Sequence, residues 1–241
     1  MLVRLNKYLA QAGIASRREA DRLIEQGRVK VNGKVTTGLG GKVDEDKDHV
    51  EVNGRTVRVS KRKVYVLLNK PTGYIVTMND PLGRPTVRKL LAGLPPGVVP
   101  VGRLDFDSEG LLLLTNDGEL AFRLTHPRYE VPKTYVVRID GSIDHETIAR
   151  LEKGVVLDGV KAVPDKVAVL EGGTGHSQLR IELHEGRKRE IRRMLEAVGH
   201  RVSRLKRTTF AGLSLKGVAP GEWRALTSRE VASLKRMVGL G

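Results

Sequence analysis

One short stretch of the sequence carries reactive side chains at close spacing. Arg103, Asp105, Asp107 and Glu109 lie within seven residues, and a glycine flanks them on each side. Carboxylates can act as nucleophiles, as general acids or bases, or only as turn and cap residues. Glycine lets a ligand approach the backbone closely. The stretch is therefore the first candidate for catalysis, and a pair of its carboxylates would also fit glycoside hydrolysis.

Four consecutive leucines, Leu111 to Leu114, follow this charged stretch directly. A short unbroken apolar run bounded by polar residues is typical of a strand that is buried on both faces. We therefore expect a rigid strand behind the charged loop. A second apolar run at residues 98–101 predicts the strand that delivers Asp105 from the other side.

The charge of the whole chain indicates the class of its partner. Its 241 residues include 43 Lys or Arg and 28 Asp or Glu, which gives a net charge of +15. Such a charge favours nucleic acid over a membrane surface.

No apolar run reaches the roughly 18 residues of a spanning helix, and the N-terminal residues lack the apolar stretch of a signal peptide. We expect a cytoplasmic protein that does not associate with membranes.

Several classes of reactive site are missing from the sequence. Cysteine is absent, which excludes disulfides and thiolate metal sites. The six histidines show no spacing typical of metal ligands, and the glycine-rich phosphate loops of nucleotide-dependent enzymes do not occur. We predict that the protein works without a metal ion or a cofactor.

Residues 1–60 predict a small module of two helices followed by a β unit. Ser16 and Glu19 are spaced as a capping box, and Asn-Gly pairs at 32–33 and 53–54 predict tight hairpins. Residues 1–63 contain 15 Lys or Arg and 8 Asp or Glu, so the module is basic. A solvated helix face would explain some of these cations, but the excess favours contacts with nucleic-acid phosphates. The predicted phosphate-binding residues here are Arg4, Lys7, Arg17, Arg18, Arg22, Arg28 and Lys30.

A basic linker at residues 61–63 leads to one larger domain, residues 64–241. Some of its predicted strands are joined by hairpins and others by helices, which is typical of an α+β domain with a mixed, largely antiparallel sheet flanked by helices. Residues 184–216 contain 10 Lys or Arg and 3 Asp or Glu. We interpret this segment as the wall of a groove that binds nucleic acid, formed by Arg189 and Arg193 on a helix at 189–198 and continued by Arg201, Arg204, Lys206 and Arg207.

Two sets of motifs resemble known families. Residues 4–9, 15–20 and 27–33 are similar to the S4 RNA-binding domain. Residues 102–118 resemble the signature of the RsuA/RluB-type pseudouridine synthases, which implies that Asp105 is the catalytic aspartate. Three further motifs agree with this resemblance: residues 69–73, residues 133–135 with the active-site Tyr135, and residues 185–194, whose Arg192 is implied to pair with the aspartate.

The resemblance implies a reaction that needs no cofactor. Uridine is isomerised by breaking the N1–C1′ bond, turning the base and joining C5 to C1′. Asp105 would act as a nucleophile at C1′ or as a base on the ribose, and Arg192 would keep it ionised. Tyr135 would stack on the base and help to remove the C5 proton, while Arg103 supplies a cation beside the substrate.

The motifs are closer to the RluB type, which acts on 23S rRNA, than to the RsuA type, which acts on 16S rRNA. Lys188 stands where the RluB type often has Asn. The expected partner is 23S rRNA or a large-subunit assembly intermediate, with no obligate protein partner and a monomeric chain.

Two other classes remain as alternatives: a non-catalytic RNA-binding protein of ribosome assembly, and a glycosidase that uses Asp105 with Asp107 or Glu109.

Overall fold

The run of four leucines lies inside the larger of two compact units in a computed structural model of the protein, which describes residues 1–240. All four side chains are fully buried. Leu111 and Leu113 belong to one apolar cluster, and their neighbours Leu112 and Leu114 point to the opposite face because side chains alternate along a strand. Both faces of this strand are therefore covered, as the sequence predicts.

The elements follow one another along the chain as short strands and short helices. In order they are β1 (Leu2–Arg4), α1 (Leu5–Gln11), α2 (Arg17–Glu25), β2 (Val29–Val31), β3 (Lys34–Thr36), β4 (Lys42–Asp44), β5 (Val50–Val52), β6 (Arg55–Val57), β7 (Tyr65–Lys70), β8 (Val99–Val101), β9 (Glu109–Thr115), α3 (Gly118–Thr125), β10 (Lys133–Asp140), α4 (His145–Lys153), β11 (Val155–Leu157), β12 (Val160–Ala162), β13 (Lys166–Glu171), β14 (His176–Leu183), α5 (Glu190–Ala197), β15 (Val202–Phe210), β16 (Leu213–Ser214), β17 (Trp223–Ala225) and α6 (Ser228–Met237).

The first unit comprises residues 1–64 with the segments 93–99 and 115–118. Its helices α1 and α2 pack with an antiparallel sheet in the order β3-β2-β5-β6. Both predicted hairpins are confirmed, since Asn32 and Asn53 have φ angles of 50° and 51° and each is followed by a glycine with positive φ. The predicted capping box forms only in part: Ser16 accepts the backbone N–H of Glu19, while the Glu19 carboxylate pairs with Arg22 at 3.2 Å.

The second unit comprises residues 65–92, 100–114 and the chain from residue 119 onward. Its sheet has the order β13-β14-β10-β15-β9-β7-β17. The pairs β13–β14, β14–β10, β10–β15 and β17–β7 are antiparallel, whereas β9 and β15 pair in parallel. This mixed, largely antiparallel sheet with helices around it confirms the α+β prediction.

Helices α3 and α6 cover one face of this sheet. Leu120 and Leu124 from α3 and Leu234 from α6 join the apolar cluster that contains Leu111 and Leu113. The helix predicted at 189–198 is present as the slightly shorter α5.

No helix within residues 1–240 combines the length and apolar character needed to cross a membrane. Gly241, the last residue of the predicted larger domain, lies outside the described residues.

Candidate active site

The charged loop between β8 and β9 forms one wall of a cleft of about 980 Å³ in the second unit. Arg103, Asp105 and Ser108 line it from the loop, and Tyr135 lines it from β10. The side chain of Asp105 is half-buried and has no hydrogen-bond or ion-pair partner among residues 1–240. A carboxylate that is held in a cleft without a protein partner is free to react with a ligand there.

A fully buried lysine fixes the backbone of this loop. Lys70, the last residue of β7, is 0% exposed, and its ammonium donates to the carbonyl oxygens of Pro71 (3.0 Å), Asp105 (3.0 Å) and Ser108 (2.6 Å). Burial lowers the pKa of Lys70 to about 8, and the carboxylates of the loop oppose this shift. The two carbonyls from the loop lie three residues apart, so one ammonium holds the turn that presents Asp105.

The sequence motif at residues 69–73 includes Lys70 but does not by itself indicate what this lysine does. The available signal is its position at the end of an apolar strand, because β7 is buried at every residue from Val66 to Lys70. A lysine that continues a buried run must have partners inside the protein. Lysines of this kind are candidates for holding a loop.

Arg192 also holds the loop, but through a different residue from the one expected. Its Nη2 donates to the carbonyl oxygen of Asp107 at 3.0 Å and lies 3.3 Å from the Asp107 carboxylate, while Nη1 donates to Val202 O at 3.1 Å. The expected pair with Asp105 is wrong in this structure, since Arg192 reaches the carboxylate two residues further on. Burial lowers the pKa of Arg192, and the Asp107 carboxylate opposes that shift.

Arg189 completes the connection between the loop and the start of α5. Its Nη1 donates to both carboxylate oxygens of Asp107, at 3.2 and 3.3 Å. Two guanidinium groups therefore bind the Asp107 carboxylate, and Glu109 is engaged by Arg204 at 2.7 Å. Of the three carboxylates in the loop, only Asp105 is left without a partner among the described residues.

The floor of the cleft is formed by neighbouring positions on β10 and β15. Tyr135 on β10 pairs in register with Arg207 on β15, so their side chains lie side by side on one face. On the same face, Lys133 pairs in register with Phe210. All four residues line the cleft, and the hydroxyl of Tyr135 has no hydrogen-bond partner among residues 1–240.

Arg207 has a different environment from the other cations of the basic segment. The sequence predicts that it continues the wall of the groove together with Arg201, Arg204 and Lys206. In the structure Arg201 and Arg204 are exposed and Lys206 is partly buried, whereas Arg207 is only 3% exposed and points into the cleft. Alternation along β15 decides this, because Leu205 and Arg207 face inward.

Two ionisable groups at the remaining edge of the cleft are Lys133, which is partly buried, and Glu190, which is buried. Lys133 donates to the carbonyl oxygens of Val131 (2.9 Å) and His184 (2.7 Å), and burial together with the charge of Arg207 lowers its pKa to about 8. Burial raises the pKa of Glu190, whose carboxylate accepts the backbone N–H of Arg187 at 2.9 Å.

The cations predicted to bind RNA have two kinds of environment. Arg189 lines the cleft, and Arg193 pairs with Asp158 at 2.7 Å. The predicted cations of the first unit are all exposed, and among them Arg22 pairs with Glu19 and Arg28 donates to Asn53. These seven are Arg4, Lys7, Arg17, Arg18, Arg22, Arg28 and Lys30.

Within residues 1–240, no group of three or more His, Cys, Asp or Glu side chains is arranged to hold a metal ion.

Comparison with known proteins gives a consistent result over the full length. A family model described as RNA pseudouridylate synthase matches residues 64–197, and the S4 domain model matches residues 3–48. The chain is 46% identical to a protein of Aquifex aeolicus named as an uncharacterized RNA pseudouridine synthase, over 100% of this chain and 96% of that protein. It is also 46% identical to ribosomal large subunit pseudouridine synthase B of Bacillus subtilis, over 99% of this chain and 98% of that protein.

A solved structure described as a pseudouridylate synthase shares the fold. It is 28% identical in sequence with a TM-score of 0.70, and the match covers 96% of this chain and 99% of that one. The likeness therefore includes both units and not only the cleft.

Proposed function

The chain belongs to the RNA pseudouridylate synthase family and carries an S4 domain, and we propose that it converts a specific uridine of 23S ribosomal RNA to pseudouridine. The observation that carries this proposal is the unpartnered Asp105 carboxylate, held in the cleft by a loop that Lys70 fixes. The full-length similarity to a Bacillus subtilis protein named for the large ribosomal subunit supports 23S rRNA as the substrate.

Asp105 is the proposed catalytic residue. It attacks C1′ of the ribose or removes a proton from the ribose, and on either route the N1–C1′ bond breaks and the uracil is detached. The uracil then turns and C5 bonds to C1′. On the first route this bond displaces the Asp105 carboxylate by cleaving its ester bond to C1′, and on the second route the proton that Asp105 removed returns to the ribose. The C5 proton is then lost and N1 takes up a proton. Tyr135 stacks on the base from the floor of the cleft, where its hydroxyl is free to assist removal of the C5 proton.

The supporting residues act on either side of Asp105. Arg192 positions the loop through Asp107, and Arg103 offers an exposed cation to the substrate at the mouth of the cleft.

A uridine within an RNA helix has to be flipped out of the stack before it can enter, which costs a few kcal/mol. Cationic contacts to the backbone of the RNA offset this cost.

We assign the RNA contacts to the S4 domain and to the basic rim of the cleft. We place the S4 domain at residues 1–60, the linker at 61–63 and the catalytic domain at 64–241, around the family matches at 3–48 and 64–197. The partner is 23S rRNA or an assembly intermediate of the large subunit, and the protein acts in the cytoplasm. The proposed phosphate contacts are Arg4, Lys7, Arg17, Arg18, Arg22, Arg28, Lys30, Arg189 and Arg193.

The test measures tritium release from RNA that contains 5-tritiated uridine, without added cofactor. Wild-type protein should release tritium from 23S rRNA and not from 16S rRNA. Asp105→Asn should bind the same RNA within about threefold of wild type and lose turnover by at least about 10⁴-fold, because the amide can neither attack C1′ nor take up a proton.

Three results would count against this proposal. Release from 16S rRNA alone would identify the alternative substrate, and RNA binding without any release would favour a non-catalytic role in ribosome assembly. Turnover by Asp105→Asn at a rate near that of wild type would exclude Asp105 as the reactive group.

A further inference from the structure

We propose that Arg207 is a further catalytic residue of this cleft: its Nη2 donates a hydrogen bond to a carbonyl oxygen of the target uracil and stabilises the negative charge of the detached base. The inference rests on the proposed function. It begins with one unsatisfied donor, because Arg207 Nη2 is buried and has no hydrogen-bond partner among the described residues. A buried donor that is left unpaired destabilises the site, and a ligand oxygen that accepts its hydrogen bond would remove that cost.

The guanidinium is anchored so that this donor is presented to the cleft. Arg207 Nε donates to Leu111 O at 2.8 Å, in the strand that directly follows the catalytic loop. Its guanidinium carbon lies 5.0 Å from the centroid of the Phe210 ring. These two contacts fix the planar group from one edge and one face, and a fixed fork of donors loses little entropy on binding an acceptor.

The charge of Arg207 also lacks a counterion. Arg207 has no carboxylate oxygen within 4.0 Å among residues 1–240, although it is 3% exposed. The ammonium of Lys133, on the same face, is close enough for the charge of Arg207 to lower the Lys133 pKa. Lys133 is partly buried, and the carboxylates of Glu190, Asp165 and Glu185 oppose the lowering of its pKa. Arg207 has no such partner at ion-pair distance, and a buried cation without a counterion is costly unless a ligand supplies the negative charge. The site is therefore suited to a group that becomes negatively charged.

The position of Arg207 identifies this group as the base rather than a phosphate. Arg207 is the register partner of Tyr135, so its guanidinium lies beside the side chain on which the uracil is proposed to stack. When the N1–C1′ bond breaks, its electron pair stays on the uracil, and N1, O2 and O4 share the negative charge until C5 bonds to C1′. A pre-positioned cationic donor stabilises this charge most strongly in a site that excludes water.

The experiment compares Arg207→Gln and Arg207→Lys with wild type under single-turnover conditions on 23S rRNA. Arg207→Gln should release tritium at least about 100-fold more slowly, and Arg207→Lys about tenfold more slowly, because lysine keeps the charge but not the fork geometry. Both variants should bind RNA within about threefold of wild type. Arg229→Gln removes the same charge from an exposed position on α6 and should leave the rate unchanged.

Two results would overturn the role of Arg207. One is a rate for folded Arg207→Gln within threefold of wild type. The other is a loss of RNA affinity equal to the loss of rate, which would make Arg207 a phosphate contact. If circular dichroism shows that Arg207→Gln does not fold, Arg207→Lys decides by the same two criteria. A wild-type protein that releases no tritium would refute the proposed function itself, whatever the variants do.

Discussion

At the scale of single residues, the three carboxylates of the loop differ in their partners. Asp107 and Glu109 are each bound by arginines, whereas Asp105 has no partner within residues 1–240. The carbonyls of the catalytic loop are held by a buried ammonium, and the loop carboxylate Asp107 by two guanidinium groups. These cations bind the backbone and a neighbouring carboxylate, so they fix the geometry of the loop and form no hydrogen bond with the Asp105 carboxylate.

Lys70→Met tests whether the buried ammonium stabilises the loop that carries Asp105. The variant keeps most of the side-chain volume but removes the ammonium donor from three carbonyl oxygens. Asp105 O keeps the backbone N–H of Ser108 at 3.1 Å. We expect the free energy of unfolding to fall by about 2–3 kcal/mol and turnover to fall at least about tenfold, since the loop loses its fixed geometry. Urea unfolding and single-turnover tritium release would measure the two effects.

Lys89→Met, which removes an exposed lysine, is the matched control and should change stability by less than about 0.5 kcal/mol. If folded Lys70→Met retained full turnover, the ammonium would not be needed to position Asp105.

At the scale of the elements, the parallel pairing of β9 and β15 connects the loop to the floor of the cleft. Gly110 pairs with Arg207 and has a φ angle of +107°. A Cβ atom at this position would lie 2.2 Å from Arg207 O. The two strands can approach this closely only because residue 110 has no side chain. The glycine therefore sets the distance between the loop of Asp105 and the strand of Arg207.

Gly110→Ala should disrupt this pairing. The combined strain of a positive φ and a backbone clash should lower the free energy of unfolding by about 3 kcal/mol or more. Gly118→Ala is a suitable control, because a Cβ there meets no atom within 4 Å and lies at the start of α3. Thermal unfolding of both variants would distinguish them, and equal stability of the two would contradict the close approach of β9 and β15.

At the scale of the whole molecule, the net charge of +15 supplies affinity while the cleft supplies the reaction. The exposed cations of the first unit lie outside the catalytic machinery, and several of them have no carboxylate partner in the part of the chain that the structure describes. Binding of this kind releases counterions from the RNA and depends strongly on salt. The affinity and the chemistry of the protein are therefore separable by mutation.

Replacing Arg17 and Arg18 together with glutamine should weaken RNA binding and flatten its salt dependence. Each lost contact to a single-stranded phosphate should reduce the slope of log affinity against log salt by about 0.7, or about 1.4 for the pair. Filter binding over a range of KCl concentrations would measure the slope. The control is the double variant Arg229→Gln with Arg236→Gln, which removes the same charge from exposed positions on α6 and should leave the slope unchanged. Equal slopes for the two double variants would argue against an RNA-binding surface on α2.

The local features of the fold could be predicted because they depend on neighbouring residues. The Asn-Gly hairpins follow from turn chemistry, and the buried strand follows from four adjacent leucines. The motif around Asp105 likewise identifies the loop from adjacent residues alone, and the catalytic role of Asp105 stays a prediction. Each of these conclusions needs only a short window of sequence.

Only the tertiary structure decided which long-range partners meet. Arg192 binds Asp107 and not Asp105, Lys70 points inward, and Arg207 turns from the basic rim into the cleft. These outcomes depend on strand register and on which face a side chain takes. A shift of one residue reverses the face and a shift of two changes the partner, so composition and motif spacing do not determine them.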